Sequence, residues 1–151
     1  MPGEAYFVKK HPDAIPPVFK SRLAACADIS LYEHLTLRPR EYLIVPTGLI
    51  VVPPSGYHFH VYLRSSAPVK YPGLILCNSV GIIDSDYIGP DDELKLILLN
   101  QSTNATIQIP AKTRVAQMRL VKNIKPSIFK ELTYEQVQAR QSRGGFGSTG
   151  Q

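Results

Sequence analysis

Apolar residues along this chain recur mostly with a period of two, in short runs rich in β-branched and aromatic side chains. Glycine or proline separates most of the runs. They cover residues 42–45, 49–52, 57–63, 74–77, 94–99, 106–109 and 114–121. Runs of this kind, spaced about every eight to twelve residues, predict an all-β sandwich or barrel. The run at 94–99 is almost continuously apolar, which is typical of a strand buried on both faces. Only residues 134–140 have a pattern that favours a helix.

Composition agrees with one folded, turn-rich domain. The chain has 151 residues, of which 44% are hydrophobic and 19% charged, with 10 glycines and 13 prolines. No apolar run reaches the roughly 18 residues of a membrane span, and the first ten residues lack the apolar stretch of a signal peptide. We therefore expect an intracellular protein, cytoplasmic or nuclear, with no membrane partner. Cys26 and Cys77 do not form a disulfide framework, and the absence of HExxH and CxxC motifs makes a zinc site unexpected.

The net charge of +5 is concentrated at the C-terminal end. Residues 1–113 hold ten basic and ten acidic side chains, whereas residues 114–151 hold seven basic side chains against two acidic ones. Such a segment suits phosphate contact or forms a solvated tail. Phe146 is the only aromatic residue in the Gly-rich end of this segment, so nucleic-acid binding is not expected. Because its end is rich in Gly and Ser, we expect a β domain at 1–139 and a mobile arm at 140–151.

Two segments in the body of the chain carry chemistry. Residues 64–67 follow a predicted strand with an arginine and two serines, which suits a phosphate or, alternatively, a turn or helix cap. Residues 78–89 contain two glycines, two carboxylates and a tyrosine. A hairpin here would place Asp84 beside exposed main-chain groups, where it could deprotonate a water. The alternative is an acidic turn with solvated carboxylates.

Two further features each have two interpretations. Residues 144–150 place Phe146 in a glycine-rich run, where its ring could stack on a base, or where the segment is a disordered tail. His58 and His60 share one face of a predicted strand. They could form a metal pair, but a hydrogen-bonded polar face is favoured.

Taken together and in order, five segments resemble the motifs of the trimeric deoxyuridine triphosphatases (dUTPases). They are residues 24–29, 64–67, 78–89, 114–118 and 144–150, so the resemblance spans 24–150. It implies a jelly-roll-like β-barrel, assembled as a homotrimer with sites at subunit contacts and a flexible C-terminal tail. It also implies Mg²⁺-dependent hydrolysis of dUTP to dUMP and pyrophosphate.

The resemblance further implies a role for each site residue. Asp84 activates the water that attacks the α-phosphorus, Tyr87 packs under the deoxyribose, and Asp28 contacts water on the Mg²⁺. The 78–89 segment reads uracil, and Phe146 closes over it. The implied substrate contacts are Arg64, Ser65, Ser66, Asn78, Gly81, Ile82, Ile83, Tyr87, Lys95, Gln117, Arg140, Arg143, Phe146, Gly147, Ser148 and Thr149.

The sequence departs from the family pattern at several positions. Cys26 stands in place of a glycine, and Leu63 in place of a proline. Residues 90–92 look like an insertion that lengthens the base-reading segment. The arginine usual before Phe146 is replaced by Gln141, so Arg140 and Arg143 become the candidates for the γ-phosphate contact.

Two alternatives remain open. A dCTP deaminase shares the implied fold, but its catalytic glutamate would fall at Ile97. The second alternative is a protein of the same fold used mainly as a regulatory binding partner.

Overall fold

The computed structural model describes residues 3–138 and 140. The strands, in chain order, are β1 (Tyr6–Lys9), β2 (Ala27–Ser30), β3 (Leu35–Leu37), β4 (Tyr42–Pro46), β5 (Leu49–Val52), β6 (Tyr57–Leu63), β7 (Leu74–Leu76), β8 (Gly81–Ile83), β9 (Lys95–Asn100), β10 (Ile107–Ile109) and β11 (Arg114–Lys122). Two short helices, α1 (Ala67–Lys70) and α2 (Tyr134–Gln138), complete the set. The predicted all-β class is confirmed.

Antiparallel pairing joins the strands into several small sheets. One has the order β2-β11-β6-β8 and another the order β4-β9-β7, while β1 pairs with β5 and β3 with β10. None of these sheets closes into a barrel within the described residues, so the arrangement is of jelly-roll type without a closed barrel.

The core lies between the inner faces of these sheets. In β6, Phe59 and Val61 are buried while the residues on either side of them are half-buried. The expectation that residues 94–99 are buried on both faces is wrong for β9. Leu96 and Leu98 are at most 1% exposed, but Ile97 and Leu99 are only half-buried. Because the outward-facing residues Ile97 and Leu99 are also large and apolar, the alternation between buried and half-buried positions is not visible in the sequence.

The strands that the sequence pattern missed are β1, β2, β3 and β8, each of three or four residues. The periodicity did not predict helix α1 either, although a helix cap at the serines of residues 64–67 was one of the alternatives. The helix begins directly after Ser66, and Pro68 lies in its first turn, where a missing N–H has no cost. The predicted helix at 134–140 is present at 134–138. Among the described residues, no helix is long and apolar enough to cross a membrane.

The 78–89 segment is not a hairpin. Strand β7 pairs with β9, whereas β8 pairs with β6 in the other sheet. The turn at residues 77–80 therefore carries the chain from one sheet to the other. Ser79 adopts a left-handed backbone there, with φ of 58°. This crossing places the 78–89 segment at the boundary between two sheets.

Candidate functional site

A buried carboxylate holds two arginines at one end of the four-stranded sheet. Asp28, in β2, is 7% exposed. Its Oδ1 lies 2.9 Å from Nε of Arg64, just after β6, and its Oδ2 lies 2.8 Å from Nη1 of Arg114, the first residue of β11. Charge-assisted bonds of this length offset the desolvation of the carboxylate. Two cations against one anion leave one positive charge at this end, which suits an anionic ligand.

Other predicted phosphate contacts lie at the same end. Gln117 pairs across the sheet with Asp28 on one side and with Tyr62 on the other, and its Nε2 donates to the carbonyl of Leu63 at 3.2 Å. Ser65 and Ser66 are exposed at the start of α1, and the Ser66 side chain makes no capping hydrogen bond. The structure thus brings Arg64 together with four other predicted site residues: Asp28, Ser65, Ser66 and Gln117. The pairing of Arg114 with Asp28 was not predicted from the sequence, because 86 residues separate them.

A narrow slot of about 70 Å³ lies where the two sheets meet. It is lined by Val61, Leu76, Asn78, Gly81, Ile82, Ile83, Leu94, Lys95 and Leu96. Four of these belong to the segment predicted to read the base: Asn78, Gly81, Ile82 and Ile83. A Cβ placed on Gly81 would lie 3.3 Å from Cβ of Val61 and 3.7 Å from Nδ2 of Asn78. Glycine at this position therefore allows β8 to approach β6 closely beside the Asn78 amide. The slot combines apolar walls with two polar side chains, the Asn78 amide and the Lys95 ammonium.

Asp84 follows β8 directly and is exposed. It lines an open cleft of about 220 Å³ together with His58, Ile82, Asn123, Ile124 and Lys125. The backbone N–H of Tyr87 donates to the carbonyl of Asp84 at 3.2 Å, which folds the chain back after β8. Oη of Tyr87 lies 3.5 Å from the carbonyl oxygen of Glu93, the outer limit for a hydrogen bond.

Asp84 and Arg64 are far apart within one chain. The register pairs Ile83 with Phe59, so Asp84 lies near His58 at the start of β6, whereas Arg64 follows its end. Six residues of extended strand separate these two points, a distance of about 20 Å at 3.3 Å per residue. The structure therefore does not bring the predicted general base to the predicted phosphate contacts.

Of the residues predicted for the C-terminal arm, the structure describes Arg140. Arg140 is exposed, and its backbone N–H donates to Val137 at 2.9 Å. The remaining predicted arm contacts lie outside the described residues: Arg143, Phe146, Gly147, Ser148 and Thr149.

A continuous row of hydrogen bonds runs along the outer face of β6. His58 bonds to Asn123 through Nδ1, and its Nε2 lies 2.8 Å from Nε2 of His60. Nδ1 of His60 lies 2.8 Å from Oη of Tyr62. Burial, the neighbouring His58 and the guanidinium of Arg119 lower the pKa of His60. This row agrees with the favoured reading of a hydrogen-bonded polar face.

Glu93 is a positioning residue that sequence analysis missed. Its Oε1 accepts from the backbone N–H of Gly48 at 2.7 Å, and Leu94 exchanges backbone bonds with Thr47 and Leu49. These contacts fasten the end of the 84–93 loop to the turn between β4 and β5. A single glutamate in an acidic stretch gave no sequence signal for this role.

The side chains fit Mg²⁺ only through water. Among the described residues, no cluster of three or more His, Cys, Asp or Glu could hold a metal ion. Each oxygen of Asp28 already accepts from a guanidinium. A carboxylate oxygen has a second lone pair, however, which can accept from a water bound to a metal.

The feature expected of a deaminase is missing. Ile97 lies within β9, half-buried and paired across the sheet with Ile44. An apolar side chain at this position cannot carry the proton transfers of a catalytic glutamate.

Known proteins resemble the chain along nearly its whole length. A family model described as dUTPase matches residues 13–150. A deoxyuridine 5'-triphosphate nucleotidohydrolase of Thermoanaerobacter sp. is 35% identical over 149 residues, with 95% of each chain covered. One from Hydrogenobaculum sp. is 37% identical over 145 residues, with 94% of each covered.

Solved structures share the fold. A dUTPase from Streptococcus mutans gives a TM-score of 0.72 at 26% identity, covering 82% of this chain and 98% of that one. The dUTPase of Staphylococcus bacteriophage 80alpha with dUPNHPP gives 0.81 at 23% identity, covering 97% and 98%. A phage phi11 dUTPase variant, described with a structural Mg(II) ion, gives 0.77 at 21% identity, covering 88% and 99%.

Proposed function

The chain belongs to the dUTPase family, and from that premise we propose that it hydrolyses dUTP to dUMP and pyrophosphate. One observation carries the proposal beyond family membership. A narrow slot with apolar walls and the Asn78 amide lies on β8, and Asp84 leaves the end of that same strand. A base-binding slot and a carboxylate that can activate water are therefore held by one short element.

Uracil recognition is assigned to β8 and Asn78. Within the described residues β8 pairs with β6 alone, so its other edge presents unpaired N–H and C=O groups. These groups and the Asn78 amide can pair with the edge of uracil, while the closeness of Gly81 to Val61 keeps the slot narrow. Recognition by hydrogen bonds is selective, because a wrong base leaves buried polar groups unpaired.

The chemical step is assigned to Asp84. Its carboxylate takes a proton from a water as that water attacks the α-phosphorus, and pyrophosphate leaves with the electrons of the broken P–O bond. Tyr87 is assigned to the face of the deoxyribose, where its ring leaves no room for a 2′-hydroxyl.

Phosphate binding is assigned to the cluster around Arg64. Its guanidinium is already oriented by Asp28, so less side-chain freedom is lost on binding than for an unrestrained arginine. Ser65, Ser66 and Gln117 add neutral donors beside it. Lys95 and the arm residues complete the proposed set: Arg140, Arg143, Phe146, Gly147, Ser148 and Thr149.

Mg²⁺ is proposed as the cofactor, held mainly by the substrate's phosphates. Bound there, it would neutralise the charge of the triphosphate. Asp28 would contact it through a water, using the lone pairs that Arg64 and Arg114 leave free.

The active form is proposed to be a homotrimer with shared sites. Asp84 and Arg64 lie about 20 Å apart along β6 in one chain, and a triphosphate is too short to span that distance. A second copy must therefore bring its Arg64 cluster to the Asp84 of the first. A closed ring of three identical chains would form three such shared sites, one at each contact between neighbouring chains.

The test is pyrophosphate release from dUTP, dCTP, dTTP and UTP, with and without Mg²⁺. We expect turnover of dUTP alone, and only with the metal. Asp84→Asn should bind dUTP but lose turnover by on the order of 10²–10⁴-fold, since it removes the proton acceptor and little else.

Asp86→Asn is the matched control, because Asp86 is an exposed carboxylate in the same loop. It should stay within a few-fold of the parent. Equal losses in the two variants would show that Asp84 has no special role. A protein that binds dUTP without turnover would instead favour the regulatory alternative.

A further inference from the structure

The loop that carries Tyr87 is closed by a turn at residues 89–92. Oδ2 of Asp92 accepts from the backbone N–H of Gly89 at 2.7 Å, and the backbone N–H of Asp92 donates to the carbonyl of Gly89 at 3.1 Å. The two residues thus hold each other by reciprocal hydrogen bonds. A Cβ on Gly89 would lie 3.0 Å from Oδ2 of Asp92, so a larger residue here would push the Asp92 carboxylate away by a few tenths of an ångström. The insertion is therefore a closed turn rather than a loose extension.

The far side of this turn is fixed to the body of the protein. Directly after Asp92, the side chain of Glu93 binds the backbone N–H of Gly48 at 2.7 Å. The next residue, Leu94, is fully buried and donates to the carbonyl of Leu49 at 2.7 Å. Asp92 therefore links Gly89, two residues beyond Tyr87, to the part of the chain that Glu93 and Leu94 hold against the body of the protein.

Asp91 makes a weaker contact. Its carboxylate lies 3.1 Å from Nζ of Lys10, but its side chain is 96% exposed. An ion pair this exposed contributes little, because water screens the charges. Asp91 and Asp92 are therefore neighbours with the same side chain and different structural roles.

We propose that Asp92 is a positioning residue that, through Gly89, fixes the ring of Tyr87 and so sets the preference for deoxyribose over ribose. This inference rests on the proposed function, in which Tyr87 faces the sugar. Tyr87 itself is 39% exposed, and its own hydrogen bonds among the described residues go to the Asp84 carbonyl and, at the outer limit of distance, to the Glu93 carbonyl. Without the carboxylate, Gly89 keeps only one of its two bonds, and the ring gains the freedom to admit a 2′-hydroxyl.

Loss of the Asp92 carboxylate should change the discrimination between dUTP and UTP rather than the rate of the chemical step. Asp84 is the first residue of the loop, directly after β8, and its position depends on the pairing of β8 with β6. The loss of the Asp92 carboxylate leaves this pairing intact. The variant should therefore still turn over dUTP while accepting UTP more readily.

The experiment compares Asp92→Ala, Asp92→Asn and Asp91→Ala with the parent. For each, kcat/KM is measured for dUTP and UTP, dissociation constants are measured for dUMP and UMP, and folding is checked by thermal unfolding. Asp92→Ala should lower both deoxyribose-to-ribose ratios by about tenfold, the size expected for one charge-assisted hydrogen bond. Asp92→Asn keeps an oxygen that accepts from Gly89 and should restore most of the ratio. Asp91→Ala should match the parent.

Two results would overturn the inference: unchanged ratios in Asp92→Ala, or equal losses in Asp92→Ala and Asp91→Ala. Failure of the proposed function looks different, since the parent would then bind nucleotides without hydrolysing dUTP. In that case the ratio of the dissociation constants for dUMP and UMP still decides whether Asp92 sets the sugar preference.

Discussion

The carboxylate of Asp28 is the most constrained charged group of the candidate site. It is buried, and each of its oxygens binds a different arginine. Removing one partner of a buried ion pair is costly because the other charge remains desolvated. Here the second arginine remains, so a change at Arg64 leaves Asp28 paired with Arg114. This redundancy makes Arg64 a position where binding can be altered with the fold preserved.

At the level of single residues, the sequence allowed candidate site residues to be named but not their contacts. Asp84, Arg64 and Asn78 stand out because carboxylate, guanidinium and amide groups interrupt apolar runs. The pairing of Asp28 with Arg114 did not stand out, because it depends on which strands become neighbours. Glu93 was missed for the same reason, since its partner is a backbone N–H 45 residues away.

His60 gives a prediction about stability and pH. Its pKa is lowered in the folded protein by burial, by His58 and by Arg119. The unfolded chain protonates near the ordinary value of about 6.5, so it takes up more protons than the folded chain as the pH falls. Stability should be greatest above that pH, fall as the pH drops through it, and stop falling below the folded-state pKa.

The measurement is thermal unfolding of the parent and of His60→Gln between pH 8 and pH 5. The glutamine variant should show a shallower loss of Tm on acidification. Equal slopes of Tm against pH in the two proteins would mean that His60 does not cause this pH dependence.

Among the elements, β6 organises the site. Its start lies beside Asp84, its middle pairs with β8, and its end carries Arg64. The limits of β6 were predicted as they are found, at 57–63, because seven alternating residues between turns give a clear signal. β8 was missed because three residues give no periodicity. The hairpin expected at 78–89 was wrong because local turn residues do not reveal which sheet the next strand joins.

The close packing of β8 on β6 gives a prediction for Gly81. In Gly81→Ala the new methyl would lie 3.3 Å from Cβ of Val61, so β8 must shift by a few tenths of an ångström. The shift narrows or displaces the slot beside Asn78. We expect KM for dUTP to rise several-fold while kcat changes less, because Asp84 lies beyond the far end of β8. Steady-state kinetics checks this, and an unchanged KM would show that the slot does not bind the base.

At the scale of the whole molecule, large apolar side chains remain exposed in groups. They include Tyr6, Phe7 and Val8 on β1, Tyr42 and Ile44 on β4, and Ile128 and Phe129 before α2. Exposed apolar groups of this kind are typical of surfaces that another chain covers. They agree with the proposed trimer, which the separation of Asp84 from Arg64 supports independently.

Sharing of sites between chains can be tested by mixing two inactive variants. Asp84→Ala lacks the general base but keeps an intact Arg64 cluster. Arg64→Gln lacks the phosphate contact but keeps Asp84, and it should fold because Asp28 stays paired with Arg114. Each variant alone should be nearly inactive. If a site takes Asp84 from one chain and Arg64 from another, unfolding and refolding the two together at equal ratio should make roughly a quarter of the sites whole.

If both residues came from one chain, no site would be whole at any mixing ratio. The measurement is therefore dUTP turnover of the refolded mixture against the two variants refolded separately, with assembly followed by light scattering. Refolded parent protein serves as the control for recovery. Activity near a quarter of that control requires sharing between chains, because about 20 Å of strand β6 keeps the two residues apart in any single copy. Activity no greater than the sum of the separate variants would exclude shared sites, and with them the functional need for a trimer.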